Sequence, residues 1–154
     1  MNSKPPDIVQ NWGPVGAWMA VIFIFSTDIF SGAHTSSLAG PLLSALFPAI
    51  TAEQIDAIHL ALRKLGHWGE YFILASLLMR ALRNQFLSQS RSARWICCVL
   101  LTTLYALSDE WHQSFVPSRT ASLADVMIDS LGTICGALWF NGRRRTLPAI
   151  QEKQ

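Results

Sequence analysis

The sequence predicts an all-α integral membrane protein, a bundle of four transmembrane helices with a surface-lying or re-entrant helical segment at about 38–64, between the first and second spans. Three observations predict it. Hydrophobic residues make up 51% of the 154 and charged residues only 14%, whereas a soluble domain carries about a quarter charged. The apolar residues gather in four runs, each with polar residues at one end. Lys and Arg cluster between and after those runs instead of scattering through them. The length suits one domain.

Residues 1–12 are polar, contain Pro5-Pro6 and read as a short tail. The first span follows from Gly13 to Phe30, through Val15, Trp18, Met19 and Val21 to Phe25, with Asp28 near its end. A cleaved signal peptide is disfavoured, because the flank has a single Lys and no small-x-small site follows. Residues 31–63 are mixed: a Ser-, Thr- and Gly-rich opening, then Leu42, Leu43, Leu46 and Phe47 up to Pro48. Thr51 can cap a helix whose apolar positions Ile55, Ile58, Leu62 and Leu65 recur at three- and four-residue spacing. That stretch is too polar to span and suits the membrane surface.

The second span runs from about Gly66 to Leu82 and leads into a basic connection with Arg83, Arg91 and Arg94. The third begins at Trp95, passes Leu107 and ends at Pro117. The fourth covers Leu123 to Phe140 and stops at Arg143-Arg144-Arg145. The expected organisation is therefore a tail at 1–12, a membrane domain at 13–140 and a basic tail at 141–154. Cys97, Cys98 and Cys135 lie inside apolar runs without C-x-x-C spacing and read as packing residues.

Each apolar run falls short of the roughly 20 residues needed to cross the hydrocarbon core. The deficit disappears if each helix includes the polar residues at one of its ends: Asp28; Lys64, His67 and Glu70; Asp109, Glu110 and Gln113; Asp125 and Asp129. With four alternating spans, all of these ends fall on one side of the membrane. Lys4, Arg80, Arg83, Arg91, Arg94, Arg143, Arg144, Arg145 and Lys153 fall on the other. The positive-inside rule makes that second side cytoplasmic, with both termini, so the polar side faces outwards.

The candidate ligand-binding residues follow: Lys64, His67, Glu70, Tyr71, Asp109, Glu110, Gln113, Arg119, Asp125 and Asp129. Asp109 and Gln113 are one helical turn apart, as are Asp125 and Asp129, and Gly132 and Gly136 extend the second stripe so that a neighbouring backbone can come close. Carboxylates in such segments are costly without partners; Arg63, Lys64, His67 and Arg119 are the available ones, and an Arg suits bidentate phosphate or carboxylate recognition. The chemistry-bearing candidates are His67 with Asp109 or Glu110 as acid and base. A plain salt-bridge network that holds the helices in register is the structural alternative. No metal or other cofactor is expected: Glu110, His112, His67 and Asp109 match no compact zinc spacing. No Lys/Arg run interleaved with aromatics suggests nucleic acid.

These motifs resemble a known family. Arg63-Lys64-Leu65-Gly66-His67-Trp68-Gly69-Glu70-Tyr71 is similar to the R-K-x-x-H-x-x-x-Y signature of the VanZ-like family, and Ser108 to Arg119 resembles its D-E-x-x-Q-x-F-x-P-x-R signature. Asp125, Asp129, Gly132 and Gly136 match its last helix, and the Ser-rich stretch near Ser26 and Ser31 matches more weakly. Ser118 stands where a Gly is common, and Gly66 where an Ala is frequent. The resemblance implies a small multi-pass protein of the bacterial inner membrane, in a family whose founding member is associated with teicoplanin resistance. The expected function is an outward-facing polar pocket that contacts membrane lipids and binds a cell-envelope lipid or glycopeptide-like ligand, affecting envelope properties or antibiotic susceptibility. The alternative is a membrane-embedded hydrolase or transferase acting on a lipid-linked phosphate or glycan.

Overall fold

The computed structural model describes residues 8–27, 40–86, 90–117, 119 and 121–143. Asp28, His34, Ser118, Arg144, Arg145 and both chain ends, to which some of the expectations apply, lie outside the described residues. All regular structure among the described residues is helical: α1 (Ile8–Phe25), a short α2 at 40–46, α3 (Ala52–Gln85), α4 (Arg91–Gln113) and α5 (Leu123–Arg143). Two of these, α1 and α5, are long and apolar enough to cross a membrane.

α3 replaces two expected elements with one. Residues 52–64 are not a separate surface-lying or re-entrant helix; they are the first turns of a continuous 34-residue helix. Its start is fixed by a capping box, in which the Thr51 side chain accepts from Gln54 N–H and the Gln54 side chain accepts from Thr51 N–H. No proline follows until the helix has ended, and Gly66 and Gly69 each weaken it by only about 1 kcal/mol. α1 also starts earlier than the expected Gly13, and α5 ends at Arg143 instead of Phe140.

Pairs of contacts set the directions. Asn84 donates to Asn11 and Trp18 Nε1 donates to the Glu70 carbonyl, so α1 and α3 are antiparallel. Cys98 Sγ lies 3.7 Å from the Ala75 carbonyl and the Tyr71 and Tyr105 rings are 6.3 Å apart, so α4 is antiparallel to α3 as well. α5 meets Arg63 and Lys64 through Asp125, His67 through Asp129, and Phe72 through Gly136, and therefore runs parallel to α3. The long helices alternate in direction along the chain, with α3 in the middle and supplying most of the core: Tyr71, Leu74, Ala75, Leu78, Met79 and Leu82.

Many cross-helix hydrogen bonds run from a side chain to a backbone carbonyl. Tyr105 Oη donates to Met19 O at 2.7 Å and Ser76 Oγ to Gly136 O at 3.3 Å. Arg80 Nη2 donates to Gln10 O at 3.2 Å. Pro14, inside α1, has no N–H to give Gln10 four residues back, so Arg80 supplies a donor that the proline cannot. All three cysteines are free thiols, and Cys97 and Cys98 pack in the apolar core as expected.

The outer faces are apolar. Ile96, Leu100, Leu104, Leu107 and Trp111 form one exposed stripe at helical spacing along α4, and Leu123, Met127, Leu131, Ile134 and Leu138 form another along α5. Polar residues meanwhile fill part of the interior: His67, Thr102, Asp109, Glu110, Gln113, Asp125, Asp129 and Thr133 are all buried. Water would favour the reverse arrangement.

Candidate functional site

The ionisable side chains converge where α1 and α4 end and α5 begins, against the stretch of α3 from Arg63 to Tyr71. Alternating helix directions bring them there, because each helix carries its polar residues at the end that alternation turns to the same side. Glycines complete the approach: Gly132 packs on the backbone of Trp68 and Gly136 on that of Phe72, which seats the start of α5 against α3.

At the rim, Arg63 and Lys64 both pair with the fully buried Asp125, Arg63 at 3.2 Å. Their side chains are 27% and 30% exposed, so two partly solvated cations share one buried carboxylate. Deeper in, Asp109 accepts from the Ser26 hydroxyl and from Gln113 Nε2, the latter at 3.0 Å. Ser26 also accepts from Gln113 at 3.4 Å, closing a triangle between α1 and α4. Below Asp125 on α5, Asp129 Oδ1 lies 3.2 Å from His67 Nδ1. Glu110 Oε2 accepts from the Ser122 N–H at 2.6 Å, just before α5 begins.

Arg119 follows the turn at 114–117 and donates to the Phe25 and Thr27 carbonyls at 2.5 and 3.3 Å. A cation there satisfies acceptors that the end of α1 leaves open and suits the negative end of its dipole. Burial lowers the Arg119 pKa from its ordinary value; the nearby Arg63 charge lowers it further, while Asp109, Glu70 and Glu110 oppose both. One guanidinium thus feels every one of those charges. Glu70 lies within electrostatic reach of His67, Asp109, Asp129 and Arg119. Tyr71 is fully buried, its hydroxyl without a hydrogen-bond partner.

The predicted residues lie towards this end of the bundle, and of the two partners expected for His67, Glu110 comes near it while Asp109 does not pair with it. His67 meets Asp129, whereas Asp109 is taken up by Ser26 and Gln113. His112, weighed with Glu110 and His67 as a ligand, turns to α1, where its ring lies 4.6 Å from that of Phe23. A His–carboxylate set does form, from His67, Glu110 and Asp129, each with one ligand atom within 4.8 Å of the others'. No motif spacing could reveal it, since the three come from three helices. Ser26 and Ser122 had little sequence signal, one a weak family match and the other acting through its backbone.

The carboxylates and His67 are buried, and the Arg63 and Lys64 side chains at the rim are partly exposed. An apolar cavity of about 230 Å³ lies at the opposite end, lined by Leu82, Phe86, Ala93, Arg94 and Cys97.

Among the described residues this is an all-helical bundle with an apolar exterior, its buried acids gathered at one end and a group of arginines at the other. The chain belongs to the VanZ/LLP1 family, whose model matches residues 12–144. No curated protein and no solved structure matches it.

Proposed function

We propose that all four long helices span a bacterial cytoplasmic membrane, with the polar end facing away from the cytoplasm, and that the rim of that end binds the anionic head group of an envelope lipid. The exposed apolar stripes on α4 and α5 support the membrane reading, because contiguous apolar surface of this extent needs a cover. At about 1.5 Å per residue α3 is ~50 Å long and outruns the ~30 Å hydrocarbon core, so its first turns stand in the interfacial layer. Arg80, Arg83, Arg91 and Arg94 lie at the opposite end, as cytoplasmic residues should.

One observation carries the head-group reading: Arg63 and Lys64, both partly exposed, share the single carboxylate of Asp125. One carboxylate cannot neutralise two cations, so the rim retains positive charge where a phosphate would lie. Through such a ligand, lipid or glycopeptide-like, the protein would alter envelope properties or antibiotic susceptibility. Binding is measured by titrating the detergent-purified protein with phosphatidylglycerol and, separately, phosphatidylcholine, following Trp fluorescence. The anionic lipid should bind more tightly, and Arg63→Gln with Lys64→Gln should erase the difference, while Arg80→Gln with Arg83→Gln leaves it intact. Asp125→Asn, if it folds, should tighten anionic binding. Equal affinity of the wild type for both lipids contradicts the reading.

A second reading has its own observation. His67 is oriented by Asp129 beside Glu110, an arrangement that could serve acid–base chemistry on a lipid-linked phosphate or glycan. Turnover of labelled envelope lipids that depends on His67 would favour it.

A further inference from the structure

We propose that His67, Glu110 and Asp129 form a binding site for a divalent metal ion of the zinc or manganese type. The proposal does not rest on the head-group reading, and the ion can be tested alone. α3, α4 and α5 each supply one residue, all three are buried, and one ligand atom from each lies within 4.8 Å of the others.

The independent observation is how the two carboxylates use their oxygens. Glu110 spends Oε2 on the Ser122 N–H, and Asp129 sets Oδ1 against His67. The remaining oxygens, Glu110 Oε1 and Asp129 Oδ2, are buried with no hydrogen-bond partner. Glu110 is 5% exposed and Asp129 0%, so bulk solvent does not reach them. A buried acceptor left unsatisfied costs about 1–3 kcal/mol, and more when charged. Each side chain is thus held in place by one atom and leaves the other open.

Charge points the same way. Asp125 is covered by Arg63 and Lys64, and Asp109 receives hydrogen bonds from Ser26 and Gln113. Glu110 and Asp129 lie against the His67 imidazole, with the Arg119 charge reaching Glu110 from further off. A divalent cation would neutralise both carboxylates and leave His67 neutral, the form in which an imidazole ligates.

The donor set selects the ion. One nitrogen with two carboxylate oxygens suits zinc or manganese better than magnesium or calcium, which take oxygen alone. Zinc bonds of ~2.1 Å in a tetrahedral shell place neighbouring ligand atoms ~3.4 Å apart, so atoms within 4.8 Å need only a small inward turn of the side chains.

The test uses the full chain in detergent, stripped with chelator, dialysed against equimolar zinc, manganese and magnesium, and analysed for bound metal by mass spectrometry. About one equivalent of zinc or manganese per chain is expected, together with a rise in Tm. Glu110→Gln and Asp129→Asn should each weaken binding at least about tenfold, the scale set by losses of mere supporting residues; His112→Gln should not. X-ray absorption on the loaded wild type needs no folded variant and should show nitrogen and oxygen neighbours. Metal no higher than in the dialysis buffer, sulfur neighbours from the cysteines, or full retention in the Glu110→Gln/Asp129→Asn double variant would overturn the site.

Discussion

At Gly132 and Gly136 the absence of a side chain is what allows α5 to seat against α3. A Cβ at Gly136 would stand 2.9 Å from the Phe72 carbonyl carbon, and one at Gly132 would stand 3.1 Å from that of Trp68. Both obstacles are backbone, which cannot swing aside as a side-chain tip does. Gly136→Ala should therefore cost on the order of 1–3 kcal/mol through overpacking, read as a lower unfolding midpoint in detergent. It should also loosen the Asp125 and Asp129 contacts, because the same two helices hold them. These glycines and aspartates were legible in the sequence: a four-residue glycine spacing in an apolar run marks a close approach, and acids in such a run demand partners. The partners themselves were only partly legible. Arg63 and Lys64 were the nearest cations to hand, but the choice of Asp129 over Asp109 for His67 depends on helix rotation, which spacing alone leaves open.

At the scale of elements, α1 and α3 are joined by a compensation. Pro14 removes the N–H that Gln10 O would receive, and Arg80 donates to that carbonyl at 3.2 Å. The two positions should therefore be coupled. Arg80→Ala alone should destabilise by about 1 kcal/mol, the net worth of a typical hydrogen bond. In a Pro14→Ala background, which restores the backbone donor, the same change should cost much less, and a double-mutant cycle of unfolding midpoints measures the difference. The length of α3 was the least legible element. Residues 52–64 are polar enough to read as a separate surface helix, yet the capping box at Thr51 and Gln54 starts one helix that continues to Gln85. Polarity marks where a helix lies relative to solvent or membrane; it does not mark where a helix stops, and Gly66 and Gly69 break nothing here.

At the scale of the molecule, two distributions run along one axis. Among the described residues the acids, His67 and the Arg63–Lys64 pair occupy one end, and Arg80, Arg83, Arg91 and Arg94 the other, with an apolar exterior between. This arrangement was legible from charge placement because short apolar runs must recruit polar ends, and alternation of direction then collects those ends together. The proposed sidedness gives it meaning: head groups and ions reach the polar end only from outside the cell. Single-cysteine labelling tests that directly. In a C97S/C98S/C135S background, Glu53→Cys at the exposed start of α3 should react with a membrane-impermeant maleimide in intact cells, and Arg91→Cys at the start of α4 should react only after permeabilisation. Labelling of the Arg91→Cys protein in intact cells, with the Glu53→Cys protein protected, would contradict the account.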